Sequence, residues 1–317
     1  MKKSSKKDTP SVLVLLSTYN GQKYIPEQLD SLILQEEVNL TILIRDDGSK
    51  DNTIEILNHY KEENTNIELL FEENIGAAKS FYRLMDYAMK HYPHYDYYAF
   101  CDQDDVWRPE KLKDLIEEAD KSSNRYKLVY SNVYVTDEKL NIKKELNKNP
   151  QISIYSNIVA SGQLGCTQLF NYALLEKACI ISLQTINNDY LPLHDGWISL
   201  VAFSLNGEVM YCKKPTMYYR QHSSNVVGNK NSNILKTITR RIKRFYATPN
   251  RKSLKCQYVL MYLNNEISEK NRYILEQCAW YKKSILRRMK LAFNSSYYEN
   301  DFIKNCGFTL SVIFGKF

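Results

Sequence analysis

At 317 residues, with 44% hydrophobic and 25% charged side chains, the chain reads as globular rather than disordered and can bury a sizeable core. Its formal net charge of +7 suits an anionic substrate, an acidic lipid surface or a nucleic acid without choosing among them. Seven cysteines lie scattered with no CxxC pair, which excludes a zinc site or disulfide framework and points to a reducing cytoplasm.

The N-terminal MKKSSKKDTP is basic, but only the short run VLVLL follows, too brief for the apolar region of a signal peptide. No run of about 18 apolar residues occurs, so any membrane contact is expected to be peripheral. From Ser11 onward short β-rich runs alternate with helical runs, the pattern of an α/β domain with a largely parallel sheet. SVLVLLSTYN reads as a buried strand. QKYIPEQLDSLILQ follows as a helix with Ile25, Leu29, Leu32 and Ile33 on one face. The strand LTILIRDD leads to the helix DNTIEILNHYKEE, and IELLFEEN to AAKSFYRLMDYAMKHY. YYAFC then opens a further strand-to-helix unit, with Pro109 expected in the first turn of its helix.

The middle of the chain is more mixed. KLVYSNVYVTD and EVMYC read as strands around the helices NYALLEKACI and HDGWISLVAFSLNG, the latter expected to be amphipathic. Beyond residue 229 the composition changes, and ILKTITRRIKRFY and WYKKSILRRMKLAF interleave basic with apolar residues over helix-length stretches. A boundary is expected near residue 230, separating a domain at 11–228 from a basic helical segment at 229–317.

Ligands in parallel sheets bind beyond the carboxyl ends of the strands, and Tyr19, Asn20, Asp46, Asp47, Asp102 and Asp104 all fall at such ends. In DQDDVW, an extended backbone would point Asp102 and Asp104 the same way and Gln103 the opposite way. Three acidic groups this close, with Asp105, resist joint ionisation unless a cation neutralises them. Two of them beside a diphosphate suit Mg²⁺ or Mn²⁺. The plain alternative is a solvated acidic turn capping the next helix.

In RDDGSKDNT a carboxylate can accept the imide N–H of uracil or thymine, while Tyr19 offers an aromatic face to the base. An ordinary Asp-Gly turn explains the same residues. In LHDGW, Asp195 reads either as a helix N-cap or as a general base, with His194 ahead of it and Trp197 behind. In MYYRQHSSNVVG, His222 can complete a metal site and Arg220 can meet phosphate. SGQLGCT, with Gly162 and Gly165, permits close backbone approach by an acceptor, or is a plain turn. No GxGxxG or GxxxxGK[ST] loop is present, which argues against a dinucleotide or P-loop enzyme. No RNA-recognition or helix-turn-helix signature accompanies the positive charge either, so nucleic acid is not an expected partner.

The ordered set VLLSTYNGQKYIPEQLDSLILQ, LIRDDGSKDNT, ENIGAAKSFYRLM, YYAFCDQDDVWRPEKL, HDGWISLVAFSLNGEVMYC and YYRQHSSNVVG resembles glycosyltransferase family 2. DQDDVW, HDGW and YRQHSSNVVG are most similar to bacterial rhamnosyltransferases that build surface polysaccharides on a lipid carrier. The resemblance implies a GT-A fold, a nucleotide-diphosphate sugar donor, a divalent cation, a lipid-linked saccharide acceptor and inversion at the anomeric carbon. It puts Thr18 and Tyr19 by the base, Asp46 or Asp47 on its imide, and Asp102 near ribose or metal. Asp104 becomes the principal metal ligand, His222 a further one, and Asp195 the catalytic base. Many family members carry Glu-Asp where this chain has His194-Asp195, which leaves His194 without an assigned role; Trp107 stands beside the acidic triplet as a further candidate. The basic C-terminal segment reads equally as a helical bundle closing the catalytic domain or as a surface facing an anionic membrane.

Overall fold

The computed structural model describes residues 9–146, 153–160, 163–181, 190–222 and 251–317. Its centre is a nine-stranded sheet. Strand β1 (Ser11–Thr18) is apolar on both faces: Val12, Val14 and Leu16 point to one side and Leu13 and Leu15 to the other, all fully buried. It pairs in parallel with β2 (Asn39–Asp46) and β4 (Tyr97–Cys101), and β2 pairs in parallel with β3 (Ile67–Phe71). Register sets Thr18 opposite Asp46 and Leu16 opposite Cys101, so the polar strand ends all emerge along one edge. The expected parallel α/β organisation is present.

Helices cross between these strands. α1 (Ile25–Ile33) buries Ile25, Gln28, Leu29 and Leu32, whereas Ile33 is exposed, a correction to the expected face; as the last helical residue it lies beyond the contact with the sheet. α2 (Thr53–Glu63) and α3 (Ala77–His91) follow, the latter burying Phe81, Leu84, Met85 and Ala88 at helical spacing. The short β5 (Val106–Trp107) precedes α4 (Lys111–Ala119). Pro109 therefore sits ahead of α4 rather than in its first turn, because residues 108–111 close a turn through Lys111 N–H and the Arg108 carbonyl, 3.0 Å.

β6 (Lys127–Thr136), β7 (Ile142–Glu145), β8 (Gln168–Asn171) and β9 (Glu208–Arg220) complete the sheet in the spatial order β3-β2-β1-β4-β8-β6-β9-β5, with β7 on β6. β8 runs antiparallel to both β4 and β6, and β9 parallel to β6. The strand expected at EVMYC extends to Arg220, carried by continued pairing with β6. α5 (Ile154–Ala160), α6 (Tyr172–Ala178) and α7 (His194–Ser204) cover one face. α7 is buried nearly all round, from Gly196 to Ala202, and not amphipathic as expected; it is sandwiched between the sheet and the C-terminal helices.

Those helices are α8 (Arg251–Leu263), α9 (Glu269–Ala279), α10 (Ile285–Ala292) and α11 (Phe302–Ile313). Cys256, Val259, Leu275 and Phe308 join the apolar layer formed by Leu13, Leu15, Phe100 and Trp197. Each such fully buried large side chain contributes roughly 1.5 to 3 kcal/mol relative to exposure. WYKKSILRRMKLAF is not one helix: a short turn at Tyr281–Lys283 precedes α10, and the Ser284 hydroxyl caps α10 by accepting from Arg287 N–H at 3.1 Å. The expected boundary near 230, the stretch ILKTITRRIKRFY and the SSNVVG of the last motif lie outside the described residues.

Candidate active site

The loop after β1 is built by hydrogen bonds to side chains remote in sequence. Gln103 Oε1 accepts from the Thr18 hydroxyl at 2.6 Å and from Tyr19 N–H at 2.8 Å, and its Nε2 donates to the Tyr19 carbonyl at 3.2 Å. Gln103 thus ties the acidic turn to the first strand end. A Cβ at Gly21 would meet Gln103 Oε1 at 2.5 Å, so only glycine admits this closure. Asn20 adopts φ +48°, and its amide oxygen accepts from Lys50 N–H at 2.8 Å. Thr18 is buried, while Tyr19 is 44% exposed, free to present its ring to a ligand.

The two aspartates after β2 have different environments. Asp46 accepts from the Ser49 amide at 2.8 Å and from its hydroxyl, closing the Asp-Gly turn. Asp47 is held by Arg45 Nη1 at 2.6 Å and by the amides of Ile75 and Gly76, each 2.8 Å away. Both carboxylates are buried. Asp47 anchors the loop that enters α3, leaving Asp46 as the one at the strand end beside Thr18.

DQDD is not extended, contrary to expectation. β4 ends at Cys101 and residues 102–105 form a turn, because Asp105 folds inward to accept from Arg220 N–H at 3.0 Å. The turn nevertheless delivers Asp104 to His222, whose Nε2 lies 2.8 Å from Asp104 Oδ2. Burial, then the charges of Asp104 and Asp195, pushes the Asp102 carboxyl up to about 7. Asp105 is raised well above the usual range by burial and by Asp104 and Asp102, and its Oδ2 has no hydrogen-bond partner.

The donor chemistry here is of the kind a divalent ion accepts: carboxylates of Asp102 and Asp104 and the imidazole of His222 would suit Mg²⁺ or Mn²⁺, and repulsion among the aspartates is what a cation would relieve. Asp104 and His222 meet as expected, but Asp102 is not gathered with them: among the described residues the trio whose ligand atoms lie within 4.8 Å of one another is Asp102, Asp105 and Cys166. Burial holds that thiol well above its usual range, so it stays protonated and is a poor ligand for a hard cation.

Asp195 is the second residue of α7, and Leu193 is the N-cap, so the N-cap reading is corrected. Its Oδ1 accepts from Gly196 N–H at 2.6 Å, and burial raises its carboxyl to about 6. The charge of Lys255 on α8 opposes that rise. Gln168 Nε2 and the Ser199 hydroxyl both donate to the Asp195 carbonyl, at 3.2 and 2.8 Å, fixing the start of the helix. Gly165 is closely approached by the start of α7 rather than left open to an acceptor: a Cβ there would lie 2.6 Å from His194 Nε2 and 3.4 Å from Asp195 Cβ. Gly162 lies outside the described residues. His194 stacks on Phe81 at 3.8 Å and meets Phe100 edge-on at 4.5 Å, and burial lowers it to about 3. It is a neutral aromatic wedge beneath Asp195.

Other sequence candidates act as support. Arg220, expected to meet phosphate, is buried, with Nε on the Asp104 carbonyl at 2.9 Å, Nη1 on the Glu138 carbonyl at 2.6 Å and Nη2 on Glu27. It clamps the acidic turn to β9 instead. Trp197 is a core residue whose Nε1 donates to the Ala178 carbonyl at 2.8 Å. Trp107 is equally buried, and the Lys111 ammonium sits 3.4 Å from its ring centroid.

Lys111 escaped the sequence reading. It is fully buried, donates to the Cys166 carbonyl at 2.5 Å, and is lowered to about 8 by burial, while its charge steadies Asp102 and Asp105. The signal was its phase: Lys111 shares the buried stripe of Leu112, Leu115 and Ala119. Lys255 is also buried, with Nζ on the Asn157 carbonyl at 2.9 Å.

The family model for "Glycosyl transferase family 2" matches residues 13–178. The dTDP-rhamnosyl transferase RfbG of Shigella flexneri is 36% identical over 222 residues, which span 67% of this chain and 73% of that protein. The uncharacterized glycosyltransferase RP339 of Rickettsia prowazekii is 30% identical over 203 residues, 62% of this chain and 60% of that one. Among solved structures, S. aureus TarS 1-349 aligns with a TM-score of 0.56 at 18% identity, over 96% of this chain and 81% of that one. Its complex with UDP-GlcNAc aligns with the same TM-score at 17% identity, again over 96% and 81%. At that identity the likeness speaks for the fold alone, which is GT-A as expected. By the match over residues 13–178 and the 36% identity with the Shigella flexneri protein, the chain belongs to glycosyltransferase family 2.

Proposed function

We propose that the protein is an inverting, metal-assisted rhamnosyltransferase, moving rhamnose from thymidine diphosphate rhamnose onto a lipid-linked saccharide at the cytoplasmic face of a membrane. The observation that carries the reading is the meeting of Asp104 with His222, 118 residues apart, on the turn that holds Asp102, whose carboxyl feels the charges of both Asp104 and Asp195. The rhamnose assignment draws support from the name of the Shigella flexneri relative.

Tyr19 stacks on the base and Asp46 accepts its imide N–H, with Thr18, Asn20 and Gln103 fixing the loop that holds them. Asp104, with His222 and Asp102, would hold a divalent ion, which when bound would neutralise charge building on the departing diphosphate. Asp195 takes the proton of the acceptor hydroxyl as its oxygen attacks the anomeric carbon from the face opposite the diphosphate, giving inversion. A carboxyl raised to about 6 is ionised near neutrality yet basic enough to accept that proton. His194, neutral and wedged between Phe81 and Phe100, keeps water from the side of Asp195 next to the sheet.

A panel of thymidine, uridine and guanosine diphosphate sugars, assayed with Mn²⁺ for donor hydrolysis and for transfer to a lipid-linked saccharide, tests the reading. Fastest turnover of the rhamnose donor with inverted product is expected. Faster use of a uridine diphosphate hexose or N-acetylhexosamine overturns the donor assignment alone. Turnover of no donor overturns the whole reading.

A further inference from the structure

Helices α10 and α11 leave an apolar face uncovered. On α10, Ile285, Leu286, Met289 and Phe293 recur at i, i+1, i+4 and i+8 and share one stripe of the helix surface. Ile285 and Leu286 are 78% and 79% exposed, while Leu291 on the other side is buried in the core. On α11, Phe302 is 82% exposed, and Ile303, Leu310 and the following Phe314 are exposed along one side. The two helices are neighbours: Arg288 Nη1 donates to the Ile313 carbonyl at 3.3 Å, and a Cβ at Gly315 would lie 3.4 Å from Lys282 Cε. Contiguous exposed apolar groups of this size mark an interaction surface.

Charge selects the occupant. Lys282, Lys283, Arg287 and Lys290 are exposed around the α10 stripe. Aromatic groups with polar edges stand among them: Lys283 lies 4.9 Å from the Trp280 ring centroid, and Lys290 Nζ donates to the Tyr273 hydroxyl at 2.6 Å. Apolar side chains bordered by Trp, Tyr and cations match the boundary between headgroups and acyl chains. A second copy of this face would set the same cations against each other. Among the described residues no helix is long and apolar enough to cross a membrane, so the fit is to lie on its surface.

We propose that the exposed face of α10 and α11 docks on an anionic lipid bilayer. Leu286, Phe293 and Phe302 enter the acyl boundary, and the lysines and Arg287 meet lipid phosphates. The inference deepens the lipid-linked-acceptor reading by putting the enzyme on the surface that carries such an acceptor, yet it stands on these helices whichever sugar is transferred.

Cosedimentation of the full chain with phosphatidylglycerol-rich vesicles, against phosphatidylcholine vesicles, tests it. Salt-sensitive binding to the anionic vesicles is expected. The pair Leu286→Ser with Phe302→Ser should weaken it about tenfold or more, and Lys283→Glu with Arg287→Glu should weaken it similarly. Both pairs lie on the surface, so melting temperature and hydrolysis of the soluble donor should stay unchanged, separating lost docking from lost catalysis. Three results would overturn the proposal: no binding of the unaltered chain to anionic vesicles, binding indifferent to both pairs, or a dimer in light scattering that the Leu286 and Phe302 substitutions dissociate.

Discussion

His222 Nε2 lies 2.8 Å from Asp104 Oδ2, joining the end of β9 to the turn after β4. If the pair holds a cation, Asp104→Ala and His222→Ala should each lose both Mn²⁺-dependent tightening of nucleotide diphosphate binding and about 10²-fold or more of transfer. Calorimetry with and without Mn²⁺ measures the first and a steady-state assay the second. Asp104→Ala with near-normal, EDTA-sensitive activity would reject the ligand assignment.

Asp195 is judged by a substitution that keeps its shape. Asp195→Asn should retain the fold, seen as an unchanged melting curve, and lose roughly 10² or more in kcat. An active Asp195→Asn enzyme removes it as the base.

The pH profile follows from the same carboxyl. Burial raises Asp195 to about 6, and the base works ionised, so activity should be full above that value and fall as pH drops through it. Lys255 lowers the Asp195 value by its charge. Lys255→Met should therefore move the acid limb to higher pH, whereas loss of packing alone would leave the limb in place.

Gly165 tests the support beneath the base. Gly165→Ala would put a Cβ 2.6 Å from His194 Nε2, and overpacking of this kind costs roughly 1 to 3 kcal/mol. Thermal denaturation should show the loss, with kcat falling as His194 and Asp195 shift.

Gln103 tests how the donor loop is held. Gln103→Leu removes its bonds to the Thr18 hydroxyl and both backbone groups of Tyr19. Donor KM should rise about tenfold, given roughly 1 to 1.5 kcal/mol for loss of such an interaction. An unchanged KM would mean that the loop is ordered without it.

Much of this protein was determined by short-range pattern. Alternating apolar strands and helices specify a parallel sheet, and such a sheet brings its carboxyl ends to one edge, so Tyr19, Asp46 and Asp102 could be grouped from sequence. Order and spacing of motifs carried the family. Tertiary structure decided the rest, because the direction of a side chain depends on partners far along the chain. Asp105 turns inward because Arg220 N–H waits there, 115 residues away, and this converts an expected extended triplet into a turn. Arg220 becomes a clamp because Glu27 and the Glu138 carbonyl surround its guanidinium. Lys255 reaches the neighbourhood of Asp195 only once α8 packs on α7, and no local spacing records that contact. Likewise the basic, apolar C-terminal segment could be read as bundle or surface until packing buried one side of α10 and left Ile285 and Leu286 in solvent.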